Sequence, residues 1–384
     1  MLLDADRMRP RVQEGFGIHG RLARLRIRSF DYVPNVSLRV LYTAEVGTLR
    51  YDLAAQIGHV VPDPKEIERL TTSARDRRVA RLPVARLGDL GAHVNWYPVD
   101  FGLPVLSLSD VEIADAVGLD SAGPTAQIAW APGRNAVIRY PNAVVRVYSG
   151  AADAFRSSNA LRLVADHLPV ARLSSANEER GLVAQELRPG RPLQPDKAAA
   201  AASAAAVFIR QLHNVEASLL DPEGSLASVD PERVLATAEA TVALLAFCRP
   251  DLAERLTGAV GRLRATAPTG LSCVPSHGDF GFDRVHQHGD GLHVIDTDSL
   301  CLAPRAHDLA GFAVSLLKGR PEDSDDLATV SQSLRDAYEA PVDGFDWYLA
   351  ALMMCQLDRP MKTLTRDWTE RTDALLATAE RTLA

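Results

Sequence analysis

Two aspartates, Asp279 and Asp296, stand at the ends of a short hairpin-like stretch, seventeen residues apart. Asp279 follows Gly278, whose place in a tight turn would fix the direction of the next side chain. Asp296 follows the apolar run at 292–295, which would hold it at the end of a strand. Two carboxylates brought together in this way suit phosphoryl transfer from a nucleoside triphosphate. One orients an acceptor hydroxyl and can take its proton. The other holds a divalent cation against the phosphates. By themselves the two residues also read as turn and capping acids, positions that Asp often fills.

The elements that must position them divide into a β-rich and a helix-rich part. Residues 20–60 alternate apolar and polar side chains, with a turn signal at Pro34-Asn35. Residues 63–80 are charged and read as a surface helix and loop. The Pro- and Gly-rich stretch WYPVDFGLPVLSLSD then leads into a short acidic helix at 111–117. A second β-rich stretch, QIAWAPGRNAVIRYPNAVVRVYSG, echoes the first. Tyr32-Val33-Pro34-Asn35 with Tyr42 matches Trp130-Ala131-Pro132-Gly133 with Tyr140, two hairpins on Pro-containing turns. From about residue 152 the spacing is helical, interrupted by LVAQEL, a short buried strand. The alanine-rich run at 197–213 is a strong helix former, and Val207, Phe208, Ile209 and Leu212 should seat it in a core. Helices continue to about 266, and resume at Asp308 after the stretch that carries the two aspartates.

Composition narrows the function classes. The chain has 384 residues, 47% hydrophobic and 24% charged, with a net charge of −7. That length suggests two or three domains. The arginines are scattered among acids, which argues against nucleic-acid binding. No run of about eighteen apolar residues points to a membrane span. The first thirty residues lack an apolar run with a cleavage site, so a cytoplasmic location is expected. Cys248, Cys273, Cys301 and Cys355 form no CxxC pair and read as buried free thiols. His286, His288 and His293 surround a turn and are expected to face solvent.

HGDFGFDRV, then VIDTD, then APRAHDLA resemble the signature of the aminoglycoside phosphotransferase and choline kinase superfamily. APGRNAVIRY and VVRVY are similar to its glycine-containing turn and lysine strand, and LVAQELRPGRPL to its hinge. The likeness covers about residues 125–384. It implies an α+β, bilobal protein-kinase-like fold, here with an extra N-terminal β/α module. The divisions expected are 1–110 for that module, 111–187 for a β-rich N-lobe and 188–384 for a helical C-lobe. It also implies ATP and Mg²⁺ as cofactors. Asp279 would be the catalytic base, and Asp296, Asp298 and Asp283 would be metal ligands. Gln185, Glu186 and Leu187 would lie at the adenine, Arg146 and Arg284 at the phosphates. Asp308 would cap the helix that follows, and His277 would be a structural hydrogen-bonding residue.

Three positions differ from the family's pattern. Arg284 stands where a metal-binding Asn or Gln is expected, and a guanidinium cannot ligate a metal. Arg146 replaces the lysine, and Ser157 the helix glutamate, with Asp153 the nearest acid. Either Asp283 takes over a metal, or Arg284 meets phosphate directly. The function implied is transfer of phosphate to a hydroxyl of a small molecule: an aminoglycoside, sugar, nucleoside or amino alcohol. Glu370, Asp358 and Asp346 are candidates for receiving a cationic acceptor. The alternatives are a peptide Ser/Thr kinase of natural-product maturation, with a peptide as partner, and a degenerate pseudokinase that serves as a binding partner.

Overall fold

A computed structural model describes residues 2–18, 22–33, 36–58, 65, 84–120, 125–193, 198–221, 223–289, 291–317 and 324–384. The turn expected at Pro34-Asn35 lies outside them, as does nearly all of the charged segment at 63–80. The chain forms two compact units. One comprises Met1–Ser158, Leu173–Leu187 and Lys362–Leu364; the other comprises Asn159–Arg172, Arg188–Met361 and Thr365–Ala384.

The first unit is built on two antiparallel five-stranded sheets. Helix α1 (Ala5–Phe16) precedes β1 (Leu22–Val33), β2 (Ser37–Val46), β3 (Leu49–Ile57), β4 (Val84–Leu87) and β5 (Ala92–Trp96). The spatial order is β1-β2-β3-β5-β4. Helix α2 (Asp110–Ala116) follows, opened by a capping box of Ser109 and Glu112. The second sheet holds β6 (Ala126–Ala131), β7 (Asn135–Arg139), β8 (Ala143–Tyr148), β9 (Leu173–Asn177) and β10 (Leu182–Glu186). Its order is β6-β7-β8-β10-β9, the same as the first. In both, a 3-10 turn links the last two strands and ends on a left-handed glycine, Gly91 or Gly181. One apolar core joins Leu103, Leu106 and Ile113 to Trp130, Ile138, Val145 and Leu182.

The second unit is mainly helical, with α3 (Ala151–Val164) entering it from the first. Helix α4 (Ala198–His213) follows, with the two-residue β11 (Arg191–Pro192) before it and β12 (Ala227–Ser228) after it. Next come α5 (Pro231–Cys248), α6 (Ala253–Ala265) and β13 (Cys273–Ser276). The hairpin β14 (Val285–His288) and β15 (Gly291–Val294) precedes β16 (Cys301–Pro304). Helices α7 (Arg305–Leu316), α8 (Ser324–Tyr338), α9 (Phe345–Cys355) and α10 (Trp368–Thr382) complete the unit. Helix α4 buries Phe208, Ile209 and Leu212 together with four alanines, whose small side chains let its neighbours approach. It packs on α8, and α9 packs on α5, α7 and α10. Val207, expected in the core, is 43% exposed, because it falls on the opposite face of the same helix.

The four thiols are free, but only Cys301 is buried; Cys355 is half-buried, and Cys248 and Cys273 are exposed. Cys248 sits at the last turn of α5 and Cys273 at the first position of an edge strand, where apolar flanking sequence does not guarantee cover. His288 faces solvent, whereas His286 is half-buried and His293 buried. The loop at Gly190 passes over the His293 ring, and burial holds His286 below its ordinary pKa. Among the described residues, no helix is long and apolar enough to cross a membrane.

Candidate active site

The loop 277–284 is held from below by one carboxylate. Asp308, in the first turn of α7, is 1% exposed. Its Oδ2 accepts the backbone N–H of His277 at 2.7 Å, and its Oδ1 that of Gly278 at 2.9 Å. His213, at the end of α4, places Nε2 3.2 Å from Asp308 Oδ2 and Nδ1 2.7 Å from the Tyr338 hydroxyl. Burial alone would raise the Asp308 pKa, yet the hydrogen bond with His213 and the electrostatic pull of His213 and His307 hold it well below the usual carboxylate range. Asp308 was expected to cap its own helix. It instead binds a loop thirty residues earlier in sequence, and the residue at the N-cap is Pro304.

Gly278 is required by geometry. Its φ is +82°, and a Cβ there would collide with the Ser299 carbonyl oxygen. The close approach places the loop of Asp279 directly against the turn that follows Asp296. His277 ties the same two loops together. Its Nδ1 accepts the N–H of Asp279 at 3.2 Å, so its Nε2 carries the proton and donates to the Ile295 carbonyl at 3.1 Å. Asp296 itself adopts left-handed backbone angles, φ 66° and ψ 52°, an uncommon conformation that Asp tolerates better than most residues.

Aromatic packing fixes the rest of the loop. The Phe282 and Phe312 rings lie 4.3 Å apart, and Phe280 and Phe312 5.4 Å apart. Each such buried ring contributes about 1.5–3 kcal/mol. The Phe282 N–H donates to Ser315 Oγ at 3.0 Å. Beyond it, the Arg284 N–H donates to the Gly281 carbonyl at 2.9 Å, and the Arg284 carbonyl accepts from Ile295 at 3.0 Å. The backbone of Arg284 is therefore fixed on both sides.

The Arg284 side chain returns into the loop and joins three of the residues singled out in the sequence. Its Nε and Nη2 donate to Asp279 Oδ2 at 3.0 and 2.8 Å, and its Nη1 to Asp283 Oδ2 at 2.9 Å. Nε also lies 3.2 Å from Asp296 Oδ2. Burial would draw the guanidinium pKa down, but Asp279, Asp296 and Asp283 hold it above its ordinary value. Asp298 lies half-buried on the 3-10 turn just past Asp296.

This arrangement does not fit the two-metal site implied by the resemblance. The position that should offer a neutral oxygen offers a guanidinium, which has five N–H donors and no lone pair. That cation also occupies carboxylate oxygens of Asp283 and Asp296, two of the expected ligands. Among the described residues, no group of three or more His, Cys, Asp or Glu could hold a metal ion.

The expected nucleotide-facing residues Arg146, Gln185, Glu186 and Leu187 belong to the other compact unit. Arg146 lies on β8, opposite Val137 and Val183. In place of an ion pair with a helix glutamate, its Nη1 donates to the Tyr148 hydroxyl at 3.5 Å, which donates to Ser157 Oγ at 2.8 Å. Asp153, the nearest acid, pairs with Arg156 instead. Gln185 is buried and Glu186 exposed at the end of β10. The Leu187 N–H donates to the Asn142 carbonyl at 3.1 Å, so this donor is committed within the sheet. Of the candidate acceptor acids, Asp346 pairs with Arg335, Glu370 accepts from Thr369, and Asp358 is buried.

A second braced turn has no sequence motif. Asp100, just beyond β5 and 1% exposed, accepts from Trp130 Nε1 at 2.8 Å, the Gly133 N–H at 2.7 Å and the Gly102 N–H at 2.9 Å. Gly102 and Gly133 approach so closely that a Cβ on Gly102 would lie 2.6 Å from the Gly133 Cα. The glycine turn between β6 and β7 is thus held by the residues that follow the first sheet. Arg134 adds an ion pair to Asp31 at 2.6 Å, reaching β1.

The fold is α+β, and within it an aspartate loop is pinned against an aspartate-bearing hairpin. The model of the phosphotransferase enzyme family matches residues 133–351, more than half of the chain, and the chain belongs to that family. No curated protein matches it. Among solved structures it is similar to a choline/ethanolamine kinase family protein from Mesorhizobium loti, at 16% identity and a TM-score of 0.51, covering 71% of this chain and 92% of that one. An aminoglycoside 2'-phosphotransferase IIIa in its GDP complex gives 16% identity and a TM-score of 0.54, covering 71% and 96%. A spectinomycin phosphotransferase with ADP and spectinomycin gives 13% and 0.50, covering 71% and 97%. At these identities the likeness speaks for the fold.

Proposed function

We propose that the protein transfers the γ-phosphoryl group of ATP to a hydroxyl of a small molecule, with Asp279 as the residue that receives the hydroxyl. The observation that carries this reading is the double fastening of the Asp279 loop. Asp308 holds it from below, and His277 ties it to the strand that ends in Asp296. Both Arg284 bonds to Asp279 land on Oδ2, so the acceptor hydroxyl is received at Oδ1. Transfer is in line, oxygen to phosphorus, with ADP leaving and the hydroxyl proton passing to the carboxylate. Membership of the phosphotransferase enzyme family supports the reaction class. The ADP- and GDP-bound relatives support a nucleotide donor. The acceptor class follows those relatives: amino alcohols and aminocyclitol or aminoglycoside antibiotics.

The test is ADP release from ATP across a panel of such acceptors, with phosphorus NMR of the product. Acceptor-dependent release that falls at least a hundredfold in Asp279→Asn is expected, since a positioned base contributes about 10²–10⁴. Turnover that survives unchanged in Asp279→Asn would remove Asp279 from this role.

A further inference from the structure

Arg284 occupies the position that a metal-binding amide would take, and its surroundings are built for a cation. Three carboxylates converge on it, at 2.8–3.2 Å. Its backbone is tied to Gly281 on one side and Ile295 on the other, so the side chain starts from a fixed point. The carboxylates engage Nε, one N–H of Nη1 and one of Nη2. A guanidinium has five N–H groups, and the planar fork leaves one more on each terminal nitrogen. The side chain is 24% exposed, so part of the guanidinium group or its stem reaches solvent. Two parallel N–H donors on a fixed plane match two oxygens of a phosphate group.

We infer that Arg284 is the resident cation of this site, taking the place of a divalent ion and gripping the nucleotide's phosphates through its two outer N–H groups. The inference rests on the phosphotransfer reading above, because it assumes that a nucleoside triphosphate binds here. A divalent ion at Asp283 and Asp296 would have to share both carboxylates with a guanidinium already bonded to them, cation against cation. The guanidinium brings its positive charge without that conflict. Nucleotide affinity should then depend little on Mg²⁺, and restoring an amide at this position should make it depend strongly.

The experiment is calorimetric titration of ATP into the full chain, in EDTA and in saturating Mg²⁺, for the unaltered protein, Arg284→Asn and Arg284→Lys. Circular dichroism and thermal melts verify that each variant is folded. The unaltered protein should bind ATP in EDTA within about threefold of its Kd in Mg²⁺. Arg284→Asn should lose about tenfold or more in EDTA, about 1.4 kcal/mol, and recover in Mg²⁺. Arg284→Lys, a charge without the fork, should fall between them. An unaltered protein that binds ATP only with Mg²⁺ overturns the inference while leaving the phosphotransfer reading standing, and this arm needs no variant to fold. Equal ATP affinity of Arg284→Asn and the unaltered protein in EDTA also overturns it. No ATP binding under either condition sinks the phosphotransfer reading itself.

Discussion

Asp100 and Asp308 do the same work in different halves of the molecule. Each is 1% exposed, and each accepts two backbone N–H groups, at least one from a glycine in a turn. Their remaining partners differ. Asp100 receives the indole N–H of Trp130 and lies near the permanently charged Arg39, whereas Asp308 is flanked by two imidazoles, His213 and His307. The depressed pKa of Asp308 comes from those imidazoles, working against burial. A brace flanked by histidines couples its loop to protons, and that loop carries Asp279.

The comparison is most exposed to Asp308→Ala. Removing one member of a buried charged network costs about 3–5 kcal/mol, and a loss of this size in the unfolding free energy from urea titration is expected. A cost no greater than that of Asp100→Ala would erase the distinction between the two braces. Asp100→Ala should cost about 2–3 kcal/mol, from buried donors left without an acceptor.

The third expectation concerns acid. The Asp308 pKa is depressed in the folded state, so its stabilising contribution is fully present above the unfolded carboxylate value of about 3.9. It is lost as pH falls from there toward the folded value. Stability measured from about pH 5 downward should drop more steeply in the unaltered protein than in Asp308→Asn. The smallest effect belongs to a relay with no carboxylate. Tyr148→Phe breaks the chain from Arg146 to Ser157 and should cost about 1 kcal/mol in thermal or urea unfolding.

The sequence makes one of these braces legible and hides the other. Asp279 and Asp296 stand out because turn, hairpin and strand are local signals, and the hairpin register confirms the spacing, with Val285 opposite Val294. Asp308 is visible in the DLA stretch, but its role is not. Its partners, His277 and His213, lie 31 and 95 residues away, a distance that no local pattern spans. Asp100 sits in a Pro- and Gly-rich stretch and becomes meaningful only when Trp130 and Gly133 fold over it. Arg284 is conspicuous as a departure from the family's pattern. Its grip on three carboxylates follows from a side chain turning back on its own loop, which identity alone does not reveal. Strand alternation announces both sheets, yet the insertion of β5 between β3 and β4 is a tertiary choice.

That insertion sets an order of assembly. Among the described residues, the fourth strand of each sheet pairs only with the fifth, so neither outer strand can dock until the later one is available. A chain emerging from the ribosome can close its first sheet once Trp96 is out, well before Ala126, the start of the second, has appeared. Asp100 follows Trp96 by four residues, so the carboxylate leaves the ribosome ahead of Gly133. The clamp is synthesised ahead of the turn it will hold, and the glycine turn can fold onto a surface already formed.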